Sequence, residues 1–133
     1  MVKTNDDLVK EWYRFAMRDF AVAKHLFDTM YPKPLEIICY QCQQSAEKFL
    51  KGFLISNEIE APRTHDLIEL YRICAKININ FEKLRDLCEK LTRYGSQPRY
   101  PEEIEVSESD AETALQNAQE LIEFYKSQNI EIE

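Results

Sequence analysis

The stretch "LEIICYQCQQSAEKFLKGFL", residues 35–54, decides the fold. Leu35, Ile38, Cys39, Cys42, Ala46, Phe49, Leu50 and Phe53 recur at three- and four-residue spacings, the period of one helical face. Pro34 stands where a proline suits a first helical turn. The spacing therefore predicts a helix from Pro34 to about Asn57.

Working outward, the same period fills the chain. Leu8, Trp12, Phe15, Ala16, Ala23, Leu26, Phe27 and Met30 mark a helix over about Asp6–Thr29, and "YPKP" (31–34) breaks it. After the link "EIEAPR" (58–63), Thr64 is the expected N-cap of a third helix reaching about Ala75. Asn80 is expected to cap a fourth, striped by Phe81, Leu84, Leu87, Cys88 and Leu91, with Gly95 ending it at positive φ. Ser107 caps a fifth helix to about Ser127, with Asp110 in the capping-box place and Ala111, Ala114, Leu115, Ala118, Leu121, Ile122 and Tyr125 on its apolar face. No stretch alternates at period two. Long helices on short links pack best antiparallel, so the expectation is an all-α, up-and-down four- or five-helix bundle, one domain over 1–133 with its core at about 6–127.

Composition narrows the function classes. Hydrophobic residues at 44% and charged residues at 31% suit a globular chain rather than a disordered one. A net charge of -7 argues against broad attraction to nucleic acid or an anionic membrane, while leaving room for a local basic cluster. With Gly52 and Gly95 the only glycines, a glycine-rich phosphate loop is excluded. No apolar run is long enough to span a membrane, and the polar, acidic start Met1–Leu8 is unlike a signal peptide, so a cytoplasmic protein is expected. "CYQC" (39–42) has no second close cysteine pair for zinc and no strand before it. Cys39, Cys42, Cys74 and Cys88 therefore read as reduced core thiols, with no metal and no cofactor.

Several polar residues sit where a bland helix would not place them. Asp19 falls in the middle of the first helix's apolar arc, where an unpaired carboxylate is costly. It either pairs with a cation to hold bundle register or lines a pocket. Gln43 and Glu47 lie four apart at the edge of the second helix's stripe, a position that fits either a charge-balanced surface or a groove between helices; Lys48 and Lys51 read as solvated. His65 is expected in the first turn of the third helix, as a structural histidine under the bundle end. In "YGSQPRYP" (94–101), Pro98 and Pro101 stiffen the chain around Arg99 and Tyr100, with Arg93 and Tyr94 just upstream. Arginine offers a planar fork to phosphate or carboxylate, and tyrosine a face to a base. The alternative is a plug, in which Tyr100 caps the bundle and Arg99 pairs with Asp19 or a nearby glutamate.

These pieces, in order, resemble the HEPN domain. They are Trp12 with Ala16, Asp19, Phe20 and Ala23; "QQSAEKFLKGFL" (43–54); "HDL" (65–67); "RYP" (99–101); and the alanines of the fifth helix. The resemblance spans about residues 8–126. It implies a helical bundle, usually dimeric, first proposed to bind nucleotides and often encoded beside a minimal nucleotidyltransferase in toxin–antitoxin or related systems. Some members are metal-independent ribonucleases with an R-x4-6-H motif near the C-terminal helices. No histidine follows His65 in this chain, so that motif is absent there, and no catalytic residue is assigned. "RDFAVAKH" (18–25) matches literally but shares a solvent face with Arg14 and reads as surface charge. The candidate ligand-binding residues are Asp19, Gln43, Glu47, His65, Arg93, Tyr94, Arg99 and Tyr100. The ligand expected is a nucleotide, RNA or another phosphate-bearing molecule. The first helix is apolar around more than half its circumference, which predicts a second buried face and a homodimer.

Overall fold

The computed structural model describes residues 2–96 and 105–133 and is an all-α bundle, with no strand among the described residues. Its helices are α1 (Asn5–Thr29), α2 (Leu35–Ser56), α3 (Leu67–Ile77), α4 (Arg85–Leu91) and α5 (Glu108–Ser127). Two 3-10 segments, Ile79–Leu84 and Thr92–Tyr94, flank α4.

Local chemistry starts these helices. Thr4 and Asp7 form a reciprocal capping box at α1: the Asp7 amide donates to Thr4 Oγ1 at 3.1 Å, and the Thr4 amide to Asp7 Oδ2 at 3.2 Å. Ser107 and Asp110 repeat it at α5, as expected, at 3.0 Å each way. At α3 the cap is Asp66 and not Thr64. Asp66 Oδ1 accepts from the Ile68 amide at 2.9 Å, whereas Thr64 Oγ1 accepts from the Asp66 amide at 3.1 Å and shapes the approach. A carboxylate gains more from a helix N-terminus than a hydroxyl does. His65 therefore precedes the helix instead of lying in its first turn. Asn78, not Asn80, caps the next element: its Oδ1 accepts from the Asn80 amide at 3.0 Å, and the chain tightens into a 3-10 turn before α4.

α1 and α2 form an antiparallel hairpin across the link 30–34. Its tightest point is Gly52, where an added Cβ would lie 2.6 Å from Tyr13 Cε1. Ser45 Oγ donates to the Ala16 carbonyl at 2.8 Å, and Asn5 Nδ2 to that of Ile55 at 3.0 Å. α2 is central, packing on α1, α3, α4 and α5. The core centres on Tyr13, Phe49 and Tyr125, with ring centroids 5.1–6.0 Å apart. Tyr125, fully buried, donates its hydroxyl to the Phe49 carbonyl at 2.6 Å. A second aromatic group joins Phe53, Phe81 and Phe124. All four cysteines are buried and unbridged, as the sequence predicts.

Candidate functional site

Three of the predicted site residues, Gln43, Glu47 and His65, gather along one side of α2. Gln43, Glu47 and Lys51 are one helical turn apart each and fall in line along α2. All three are buried, flanked by the link that carries His65. Glu47 is the hub: Oε2 accepts from Lys51 Nζ at 3.1 Å, and Oε1 faces His65 Nδ1 at 2.9 Å and Gln43 Nε2 at 3.4 Å. Gln43 Nε2 also donates to the His65 carbonyl at 3.0 Å, and Gln44 donates to Gln43 Oε1 at 2.8 Å. The carboxylate side chain is 7% exposed, the imidazole 72%. His65 is thus gripped on its Nδ1 edge by a buried acid while the ring meets solvent. It is not the covered histidine that the sequence suggests.

Asp19 finds its cation in Lys48, its neighbour across the α1–α2 seam. This is the structural pairing of the two alternatives. Lys48 and Lys51, expected in solvent, both turn inward to acids, because each lies one turn or one seam from a buried carboxylate that needs neutralising. Tyr40, on the same side of α2, has its phenol pKa raised first by burial and then by the charges of Glu47 and Asp19. Lys48 follows Glu47 directly in the sequence, so the two ion-pair groups are neighbours along α2.

The end of α4 is pinned to this cluster. Thr92 Oγ1 accepts from the Leu67 amide at 2.9 Å and lies 3.4 Å from Asp66 Oδ1. Gly95 follows at φ -67, so the positive φ expected of it is not used. A Cβ there would sit 3.2 Å from the Thr92 carbonyl, a slightly tight approach, and at ordinary contact distance, 3.5 Å, from both Gln43 Nε2 and the His65 carbonyl. Arg99 and Tyr100, with Pro98 and Pro101, lie outside the described residues; the chain enters that segment from beside the Gln43–His65 contact.

Arg93 and Tyr94 do not join the α2 cluster. Tyr94 is buried beside Cys39, its phenol pushed up to about 12 mainly by burial. The Arg93 guanidinium lies 5.0 Å from the Tyr94 ring centre, on the side of α5. The predicted residues thus divide into Gln43, Glu47 and His65 together, Asp19 beside them, and Arg93 with Tyr94 at a separate cleft. Sequence reasoning missed Lys48, Lys51 and Tyr40; the four-residue spacing from Glu47 to Lys51 was the available signal. Among the described residues no group of side chains is arranged to hold a metal, and no helix is long and apolar enough to cross a membrane.

Comparison with known proteins agrees with the fold. The family model for the HEPN domain matches residues 9–128. A crystal structure of TT1696 from Thermus thermophilus superposes with a TM-score of 0.71 at 22% identity, covering 90% of this chain and 96% of that one, a likeness of fold. None of the curated proteins compared matches the chain.

Proposed function

The chain belongs to the HEPN family, and on that premise we propose that it is a helical module binding a nucleotide or another phosphate-bearing ligand. In this reading it is a homodimer and the partner of a minimal nucleotidyltransferase, in a toxin–antitoxin-type pair. One observation supports the binding role: a Cβ on Gly95, four residues before Arg99 in sequence, would lie 3.5 Å from Gln43 Nε2 and from the His65 carbonyl, beside the buried ion-pair cluster of α2. Pro98 and Pro101 on either side of Arg99 and Tyr100 in the sequence are expected to reduce the entropy lost when that pair engages a ligand. The dimer is supported by apolar residues left uncovered on α1, where Leu8 and Val22 are about two-fifths exposed. Calorimetric titration of ATP, GTP and short RNA into the folded protein tests the reading. Heat that disappears in an Arg99→Ala, Tyr100→Ala double variant is the expected result; no heat with any of the three overturns it. Sedimentation at micromolar concentration tests the dimer.

A second reading, a metal-independent ribonuclease, is favoured by the Glu47–His65 pair. A buried carboxylate on Nδ1 orients an imidazole whose other nitrogen is placed to exchange a proton with substrate. Incubation with total RNA, beside His65→Ala and His25→Ala controls, decides it. Cleavage lost with His65→Ala alone supports this reading; no cleavage by the unaltered protein removes it.

A further inference from the structure

After α5 the chain turns back. Asn129 sits at φ 57 and donates its amide to the Lys126 carbonyl at 3.0 Å, while the Ile130 amide donates to the Tyr125 carbonyl at 3.1 Å. These two bonds make a Schellman ending, in which one left-handed residue reverses the path of the chain. Beyond it, Ile130 is half-buried and Ile132 is 7% exposed, whereas Glu131 and Glu133 are exposed.

Ile132 is seated in a groove along α1. Val9, Tyr13 and Met17, each one turn from the next, form its apolar wall, and Lys10 and Arg14 stand at its rim. Residues 131–133 lie against it as a strap, lightly held. The last backbone hydrogen bond is that of the Ile130 amide, so among the described residues the buried Ile132 side chain is the anchor.

The strap is also an incomplete occupant. About 730 Å³ of the groove stays open beside it. Neither Lys10 nor Arg14 forms an ion pair among the described residues; the Arg14 guanidinium rests over the Phe15 ring, 4.9 Å from its centre. Glu131 and Glu133 line the same groove, yet stop short of both cations. The acid that α1 itself adds to the lining is Asp6, one turn before Lys10. From residue 12 to 27 the exposed charged and titratable side chains of α1 are Arg14, Arg18, Lys24 and His25, all basic. In a chain of net charge -7 this face is a local exception.

We infer that the α1 groove docks a segment of a partner protein that carries an apolar residue between acids, and that the strap covers the groove until such a segment displaces it. The partner's apolar residue takes the place of Ile132 against Val9, Tyr13 and Met17, and its acids reach Lys10 and Arg14, which the strap leaves unpaired. Exposed ion pairs contribute little by themselves, so the apolar anchor supplies the affinity and the rim cations select for acids. Tethered to α5, the strap competes at high effective concentration and sets the threshold for displacement. The groove shares no lining residue with Gln43, Glu47 or His65, so the inference is independent of the phosphate-ligand reading.

The test is an amide NMR titration of the full chain with a synthetic peptide of residues 126–133, KSQNIEIE. The unaltered protein should bind it weakly, with shifts at Val9, Tyr13 and Met17 and with the amides of 131–133 moving to unstructured positions. Ile132→Ser, which frees the strap, should bind it about tenfold more tightly. Equal affinity in the two proteins, shifts that miss α1, or no binding to either overturns the inference. Lys10→Glu with Arg14→Glu should weaken binding about tenfold and restore it for a peptide with lysine in place of both glutamates; indifference to the reversal overturns the proposed partner chemistry. If Ile132→Ser loses its cooperative unfolding transition, the strap is a fixed part of the core and the inference fails. Self-association of the unaltered protein that Ile132→Ser abolishes would assign the groove to a second copy and overturn the reading of a separate partner.

Discussion

Glu47 on α2 and His65 on the link before α3 meet at 2.9 Å, Oε1 to Nδ1, across eighteen residues of sequence. The same carboxylate neutralises Lys51 one turn along its own helix. A single acid thus serves a half-free ring and a buried ammonium, and the two demands differ in size. The imidazole has water as an alternative partner; the ammonium does not.

Replacing Glu47 by alanine therefore acts mainly through Lys51, left as a buried unpaired charge. The expected loss is about 3 kcal/mol of folding stability. The double change Glu47→Ala with Lys51→Met should recover much of it, since the orphaned charge is gone. Urea unfolding of the three variants checks this, and equal losses in the single and double variants would contradict it.

Gly52→Ala meets the Tyr13 ring at 2.6 Å. Tyr13 is 2% exposed and wedged between Phe49 and Tyr125, so it has little room to yield. Overpacking of this kind costs about 1–3 kcal/mol. A thermal midpoint unchanged from the unaltered protein would show that the hairpin opens more easily than its packing implies.

Alkaline pH should weaken the fold. Burial pushes the Cys39 thiol up to about 11 and the Cys88 thiol up to about 12, from an ordinary 9.0, and raises Cys42 and Cys74 as well. The folded chain then holds protons that the unfolded chain releases. The thiols' contribution is intact below about pH 9 and is lost as pH rises through about 11 for Cys39 and about 12 for Cys88. Urea midpoints measured across that range should fall steadily. The folded thiols should also resist a disulfide exchange reagent near neutral pH, reacting only on unfolding.

Ser107→Ala removes the hydroxyl that accepts from the Asp110 amide and should cost about 1 kcal/mol. The Ser107 backbone amide, and then its side chain, hold the Asp110 carboxyl below its ordinary 3.8. That stabilisation is present above the unfolded value and disappears as pH falls through the lower folded one. Asp110→Asn should flatten the acid limb of the stability curve; an unchanged limb would show that the Asp110 carboxylate gains nothing from the box in the folded protein.

Much of this was legible in the sequence, for a physical reason. Apolar period three to four over residues 35–54 admits one answer, and the Ser107–Asp110 box announces itself by spacing alone. The misplaced starts of α3 and the 3-10 turn arise where two capping residues compete within three positions, Thr64 against Asp66 and Asn80 against Asn78, and only the three-dimensional path chooses. Asp19 betrayed itself by lying in an apolar arc. Lys48 and Lys51 did not, because a long cationic side chain beside an apolar stripe reads the same whether its ammonium turns to water or to a buried acid. Asn117 gave no signal at all: an asparagine on an exposed-looking helix turn is commonplace, and its burial exists only in the packed bundle.

The α1–α2 hairpin is latched at several levels: Asn5 to Ile55, Tyr13 against Gly52, Ala16 to Ser45, Asp19 with Lys48. A glycine notch filled by a phenol ring opposes sliding by one residue, and the polar latches oppose rotation about either axis. The two rods consequently move as one strut. Force applied at the exposed tip, Met30 and Tyr31, should therefore be carried along the hairpin to the Asp19–Lys48 pair rather than absorbed by sliding within it.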